Sequence, residues 1–256
     1  MSVAGTFYPA ECSTVKRYID TFTQALPAQN YKRQVRAIIA PHAGYVYSGF
    51  TANAAYSQVD TKTIKRVVLI GPSHRVYLKG ASVALHETYE SPCASIKIDQ
   101  EYSKVLLQQH AVLSTVQTAH AEHSTETQVP FIEHYFDDVQ LVEIVYGDIC
   151  YTDLTPVVDE ILATEENFVV ISTDLSHFYD LDKANKLDAI CYEGIKKMDV
   201  NSLSQGCEAC GMIGIKALIE AAQKRGLESE VIDYRTSYDA SGDASSVVGY
   251  LSVLIG

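Results

Sequence analysis

Tryptophan is absent from the 256-residue chain, methionine occurs three times, and basic residues are scarce: 20 Lys and Arg stand against 32 Asp and Glu, a net charge of −12. No run of Lys or Arg appears, so the electrostatic footprint of a nucleic-acid binder is missing. No segment approaches the ~20 consecutive apolar residues that span a bilayer; runs such as Val67-Val68-Leu69-Ile70 have strand length. The first nine residues carry neither a basic n-region nor an apolar h-region, which argues against a secretory signal. Internal repeats, low-complexity tracts and Pro/Gly/Ser linkers are also lacking, and one domain over residues 1–256 is expected. With 47% hydrophobic and 20% charged residues the composition is that of a globular chain, which excludes disorder. What remains is an acidic cytoplasmic protein acting on a small molecule or a metal, without membrane or nucleic acid.

Six cysteines, at 12, 93, 150, 191, 207 and 210, are present. Without a secretion signal in a chain of this size, reduced thiols are the expectation. Cys93, flanked by apolar sequence, reads as a core residue.

Short apolar runs rich in Val and Ile read as strands covered on both faces: 35–40, 66–71, 82–86, 141–146, 168–172, 231–234 and 247–255. Helical patterns lie between them at 14–26, 49–59, 99–109, 152–163, 181–197 and 210–225. In the last, Met212, Ile215, Leu218, Ile219 and Ala222 share a face, and Gly226 stands where a C′ glycine is favoured. This alternation predicts an α/β fold with helices on both faces of a largely parallel or mixed sheet. Sites in such folds lie beyond the carboxyl ends of the strands.

Three strand ends carry the same chemistry. The first runs into Pro41-His42-Ala43-Gly44-Tyr45, the second into Gly71-Pro72-Ser73-His74, a third into Thr173-Asp174-Leu175-Ser176-His177. One histidine after a strand is usually a packing residue; three at the ends of one sheet point to a shared site. Cys210, at the predicted start of a helix, would have its thiol pKa lowered by the helix dipole. Two imidazoles and a thiolate, His42, His74 and Cys210, make a three-ligand metal site with an open position. Cys207-Glu208-Ala209-Cys210 also admits a redox dithiol or a structural zinc, although no second Cys-x-x-Cys exists. The stretch Glu122-His123-Ser124-Thr125-Glu126 reads first as an N-capped surface helix with Ser124 or Thr125 as cap.

Together these motifs resemble the Memo family, known in bacteria and archaea as AmmeMemoRadiSam system protein B. The resemblance runs from Ala4-Gly5-Thr6-Phe7-Tyr8-Pro9, through the His42, His74, Glu122-His123-Ser124 and Asp174 to His177 segments, to Cys210-Gly211 and Ser241-Gly242-Asp243 with Val247-Val248-Gly249-Tyr250. It implies a fold similar to class III extradiol ring-cleavage dioxygenases, with a pocket formed by His42, His74 and Cys210. It further implies His177 as an acid/base histidine accompanied by Asp174, and His123 as pocket-lining or metal-supporting. Glu122, Tyr45 and Ser176 complete the expected substrate or supporting set.

Where the dioxygenases keep a carboxylate ligand, this chain has Cys210, which shifts preference toward softer metals. The expected cofactor is an iron or copper ion, with no nucleotide cofactor, and the family name implies association with radical-SAM proteins. Three functions follow. One is a metal-dependent oxidoreductase using His177 to move protons. Another is a non-enzymatic binding protein for a peptide or protein partner, and the third is a copper- or iron-handling protein. His86, His110, His120 and His134 are read as structural or surface residues.

Overall fold

The computed structural model describes residues 1–27, 31 and 33–256. Among the described residues eleven strands follow in chain order: β1 Ala37–Ala40, β2 Arg66–Pro72, β3 Ala81–Val83, β4 Thr88–Glu90, β5 Ser95–Lys97, β6 Leu113–Ser114, β7 Gln140–Tyr146, β8 Asn167–Ser172, β9 His177–Tyr179, β10 Ser229–Thr236 and β11 Val247–Ile255. Nine form one mixed sheet in the order β10-β11-β1-β8-β2-β7-β3-β6, with β9 paired to β11; β4 and β5 make a separate hairpin. The central four, β1, β8, β2 and β7, are mutually parallel. Antiparallel β11 closes one side and antiparallel β3 the other. The fold is α/β, as the sequence predicts.

Strand alternation divides the apolar side chains between two cores. Ile39, Ile70, Ile144 and Ile171 face one side, where the helices Tyr151–Leu162 and Met212–Lys224 place Val157, Ile161, Ile215 and Leu218. Ile38, Leu69, Leu141 and Val170 face the other, against Ile19, Ala55, Tyr56 and Phe131 from the helices Cys12–Ala25, Tyr45–Tyr56 and Val129–Tyr135. Because both faces are covered, both sets of positions in a central strand are apolar, which is why these strands read as continuous runs.

The structure departs from the sequence reading in particular places. The helix expected from Gly49 starts at Tyr45, with Gly44 as N-cap. Most of its residues are buried, so no polar face marks its onset. The last long helix starts at Met212 and leaves Cys210 ahead of its Gly211 cap. The expectation of reduced thiols is corrected: Cys12 bonds to Cys93 and Cys191 to Cys207. The partners are 81 and 16 residues apart, so only the fold brings them together. Cys150 and Cys210 are free. No helix of the described residues is long and apolar enough to cross a membrane.

Candidate metal centre

His42 and His74 lie just past the ends of β1 and β2, and Asp174 just past β8. Since these strands are adjacent and parallel, their carboxyl ends open into one space. His123 enters the same space from the turn His123–Glu126, which rests on β2. Among the described residues, His42, His74 and His123 each offer a ligand atom, and these atoms all lie within 4.8 Å of one another. Ring centroids are 5.3 Å apart for His42–His74, 5.4 Å for His42–His123 and 4.5 Å for His74–His123.

Hydrogen bonds decide which nitrogen each ring presents. Ser172 Oγ donates to the Ser124 carbonyl at 2.5 Å and accepts from Gln128 Nε2 at 2.9 Å. With its hydrogen thus committed, it can only accept from His42 Nδ1, 2.9 Å away. His74 Nδ1 and His123 Nδ1 stand 3.2 and 2.8 Å from the same carboxylate oxygen, Glu122 Oε1. An ionised carboxylate only accepts, so both rings carry their proton on Nδ1. All three imidazoles are therefore held in one tautomer, with the Nε2 lone pair left for a ligand. A carboxylate behind a ligating histidine is the usual device for orienting the ring and raising its basicity.

Electrostatics agree with this arrangement. Burial pushes the His42 imidazole down to about 4, against the pull of Asp174, so it is neutral at neutral pH. Burial works against the charge of Glu122, but hydrogen bonds from His123 and from the ring and amide of His74 outweigh it and hold the carboxyl well below its ordinary range. Its second oxygen accepts His74 N–H at 2.7 Å and Arg75 N–H at 3.2 Å. Glu122 also caps the turn by accepting Ser124 N–H at 3.3 Å. The expected surface helix capped by Ser124 or Thr125 is thus corrected: both are fully buried and Glu122 is the cap.

Cys210 Sγ lies 3.4 Å from His42 Nε2 and accepts Asp174 N–H at 3.2 Å. Gly211 allows this approach, since a Cβ there would fall 2.4 Å from Thr173 Cβ. The thiol is not activated in the way the helix-start reading expects. Burial, and then the charge of Asp174, push it up to about 12. Hydrogen bonds from the Asp174 amide, Thr173 and the Gly211 amide favour the thiolate without outweighing this, and a cation beside it would add to them. Asp174 Oδ1 accepts His42 N–H at 2.8 Å, and Oδ2 stands 3.9 Å from His42 Nε2.

The remaining expected site residues fall elsewhere. Tyr45 packs in the core: its ring lies 4.7 Å from that of Phe131 and its hydroxyl donates to the Thr127 carbonyl at 2.9 Å. Ser176 donates its N–H to Asp188 Oδ1 at 3.0 Å. His177 is half-buried on β9, beside Phe178, outside the group of three imidazoles. Ser172 was not singled out by the sequence, and Gln128 stood out only as one of the polar residues leading into an apolar helix. Ser172 closes a buried apolar strand with a hydroxyl, a signal too common to stand out.

A mixed α/β sheet with a histidine cluster at its carboxyl edge defines a protein with a site that can hold a metal ion. The family described as Memo-like protein matches residues 1–254. A MEMO1 family protein of Aquifex aeolicus is 32% identical over 264 residues, covering 99% of this chain and 97% of that protein. A MEMO1 family protein of Sulfurisphaera tokodaii is 33% identical over 283 residues, covering 100% and 98%. The chain belongs to the Memo family.

Proposed function

We propose that this protein is a metal-dependent oxidoreductase whose iron or copper ion is held by His42, His74 and His123, with Cys210 in reach as a further ligand. The observations that carry the reading are the common tautomer, with Nδ1 of each ring held by Ser172 or Glu122, and ligand atoms of the three rings within 4.8 Å of one another. The donors fit the group. Imidazole suits iron and copper, and thiolate shifts the preference toward copper. The Cys210 Sγ to His42 Nε2 separation of 3.4 Å is that of two atoms able to share one ion, given bonds of about 2.0–2.3 Å. When bound, the metal would supply redox chemistry. The chain's own groups orient the ligands and hold protons at the His42, His74 and His123 Nδ1 positions. His177, three residues beyond Asp174 at the start of β9, is assigned proton movement.

Anaerobic loading with iron(II) or copper(I), elemental analysis and oxygen uptake test this together. Metal should bind the wild type tightly. His177→Ala should keep the metal and lose about 10²–10⁴ in oxygen-dependent turnover, the scale of a lost general acid or base. Tight binding without oxygen uptake in any variant would replace the oxidoreductase by metal handling. Absence of metal binding would end both.

A further inference from the structure

After the exposed Gln140, strand β7 is buried throughout and apolar except for Glu143, whose side chain is itself fully buried. A buried carboxylate is costly unless its oxygens are paired. Both find partners in one short stretch of chain. Thr125 Oγ1 donates to Oε1 at 2.5 Å, and His120 Nδ1 stands 2.8 Å from Oε2. His120 Nε2 lies 2.9 Å from Ser82 Oγ, which accepts Val116 N–H at 2.8 Å. Ser82, His120 and Glu143 have the spacing of a hydrolytic triad. Yet Ser82 is fully buried within β3, where no substrate carbonyl can reach its oxygen.

The relay has another consequence. The stretch it holds leads into Glu122 and His123. On the far side of that turn, Ser124 Oγ donates to the Pro72 carbonyl at 2.7 Å, at the end of the strand that carries His74. A Cβ on Gly71 would come within 2.7 Å of Ser124 Oγ, so the turn and β2 are in close contact. An apolar residue at 143 would suit the strand equally well, but it would not select where residues 116–125 sit.

We propose that Glu143 and His120 are positioning residues of the imidazole centre: through Thr125 they seat the turn bearing Glu122 and His123, and so set His123 against His74. The proposal rests on the reading that the cluster binds a metal. Co(II) serves as the probe, because its d–d absorption reports ligand geometry as well as occupancy. Wild type, Glu143→Leu, Glu143→Gln, Thr125→Val and Asp99→Ala are titrated anaerobically, and the melting temperature of each metal-free protein is measured.

Glu143→Leu and Thr125→Val should bind Co(II) about 10–100-fold more weakly, with an altered spectrum, as expected when support behind a ligand is lost. Glu143→Gln, still able to accept from Thr125, should recover part of the affinity. Asp99, at the opposite end of the sheet, should lower the melting temperature when replaced and leave spectrum and affinity unchanged. Thr125→Val removes one hydroxyl at nearly constant shape, so it carries the test if Glu143→Leu does not fold. Wild-type affinity and spectrum in a folded Glu143→Leu or in Thr125→Val would overturn the positioning role. A wild type that binds no Co(II) would overturn the metal reading beneath it, and this proposal with it.

Discussion

The two ends of β2 and β8 each carry a buried polar cluster, and the clusters differ in one respect. At the amino end, Arg66 donates from Nε and Nη2 to Asp99 Oδ2 at 2.8 and 2.6 Å and from Nη1 to Asn167 Oδ1 at 2.7 Å. Asn167 Nδ2 donates to the Ile161 carbonyl at 2.9 Å, and Asp99 Oδ1 caps a helix by accepting Tyr102 N–H at 2.9 Å. Protein groups fill the cluster. At the carboxyl end, His42, His74 and His123 are as firmly held, but on Nδ1 only. Among the described residues no hydrogen bond reaches the Nε2 of His74 or His123, and that of His42 meets only the Cys210 thiol and, at 3.9 Å, Asp174. A closed network supports structure; one rigidly oriented on Nδ1, with Nε2 unpaired on two rings and facing only a thiol on the third, is arranged for something else to bind.

The largest effect should come from breaking the open cluster. His42→Ala combined with His74→Ala should lower metal affinity by at least about 10³-fold, measured by anaerobic dialysis and elemental analysis, with the metal-free fold retained because the two apolar cores supply most of the stability. Full retention of metal would place the ion elsewhere.

Breaking the closed cluster should do the reverse. Asp99→Ala removes a helix cap and leaves Arg66 partly buried without its carboxylate. It should cost about 2–3 kcal/mol in urea unfolding, with metal affinity unchanged.

Glu126 sharpens the comparison, because it lies beside the open cluster yet is closed. Its carboxylate accepts Ser2 N–H, Val3 N–H at 2.9 Å and the Tyr8 hydroxyl at 2.9 Å. Burial works to raise its pKa, but the hydrogen bonds from Ser2, Val3 and Tyr8 outweigh it and hold it below the ordinary value. A carboxyl depressed in the folded state stabilises above its unfolded pKa, near 4.3, and that contribution disappears as pH falls through the folded value. Glu126→Gln should therefore be less stable than wild type by about 1–2 kcal/mol at pH 7, and the gap should close as pH drops below 4. A gap unchanged at low pH would show that the carboxylate charge is not what matters.

The apolar runs made the central sheet legible, since strands covered on both faces cannot avoid them, and the helix 181–196 was readable from its amphipathic pattern. The hairpin Thr88–Glu90 with Ser95–Lys97 was not, because three-residue strands carry no usable period. His42 and His74 stood out by following strands directly. His123 was expected at the pocket from the family resemblance alone and not as one of the converging imidazoles, for it approaches from a turn 49 residues beyond His74 and looks locally like a capped helix. Glu143 left a trace, one charge inside Leu-Val-Glu-Ile-Val-Tyr, but its meaning lay in its partners.

The chain by itself determined the α/β class and the places where chemistry would gather, because backbone pairing and burial impose short-range patterns on sequence. Only the tertiary structure decided that a third imidazole joins the other two, that the Cys210 thiol lies half-buried beside Asp174 ahead of its helix rather than activated by it, and that four cysteines pair. Each of these depends on which strand ends and turns meet in space. Such meetings are set by the summed packing of both cores, and no local run of residues encodes them.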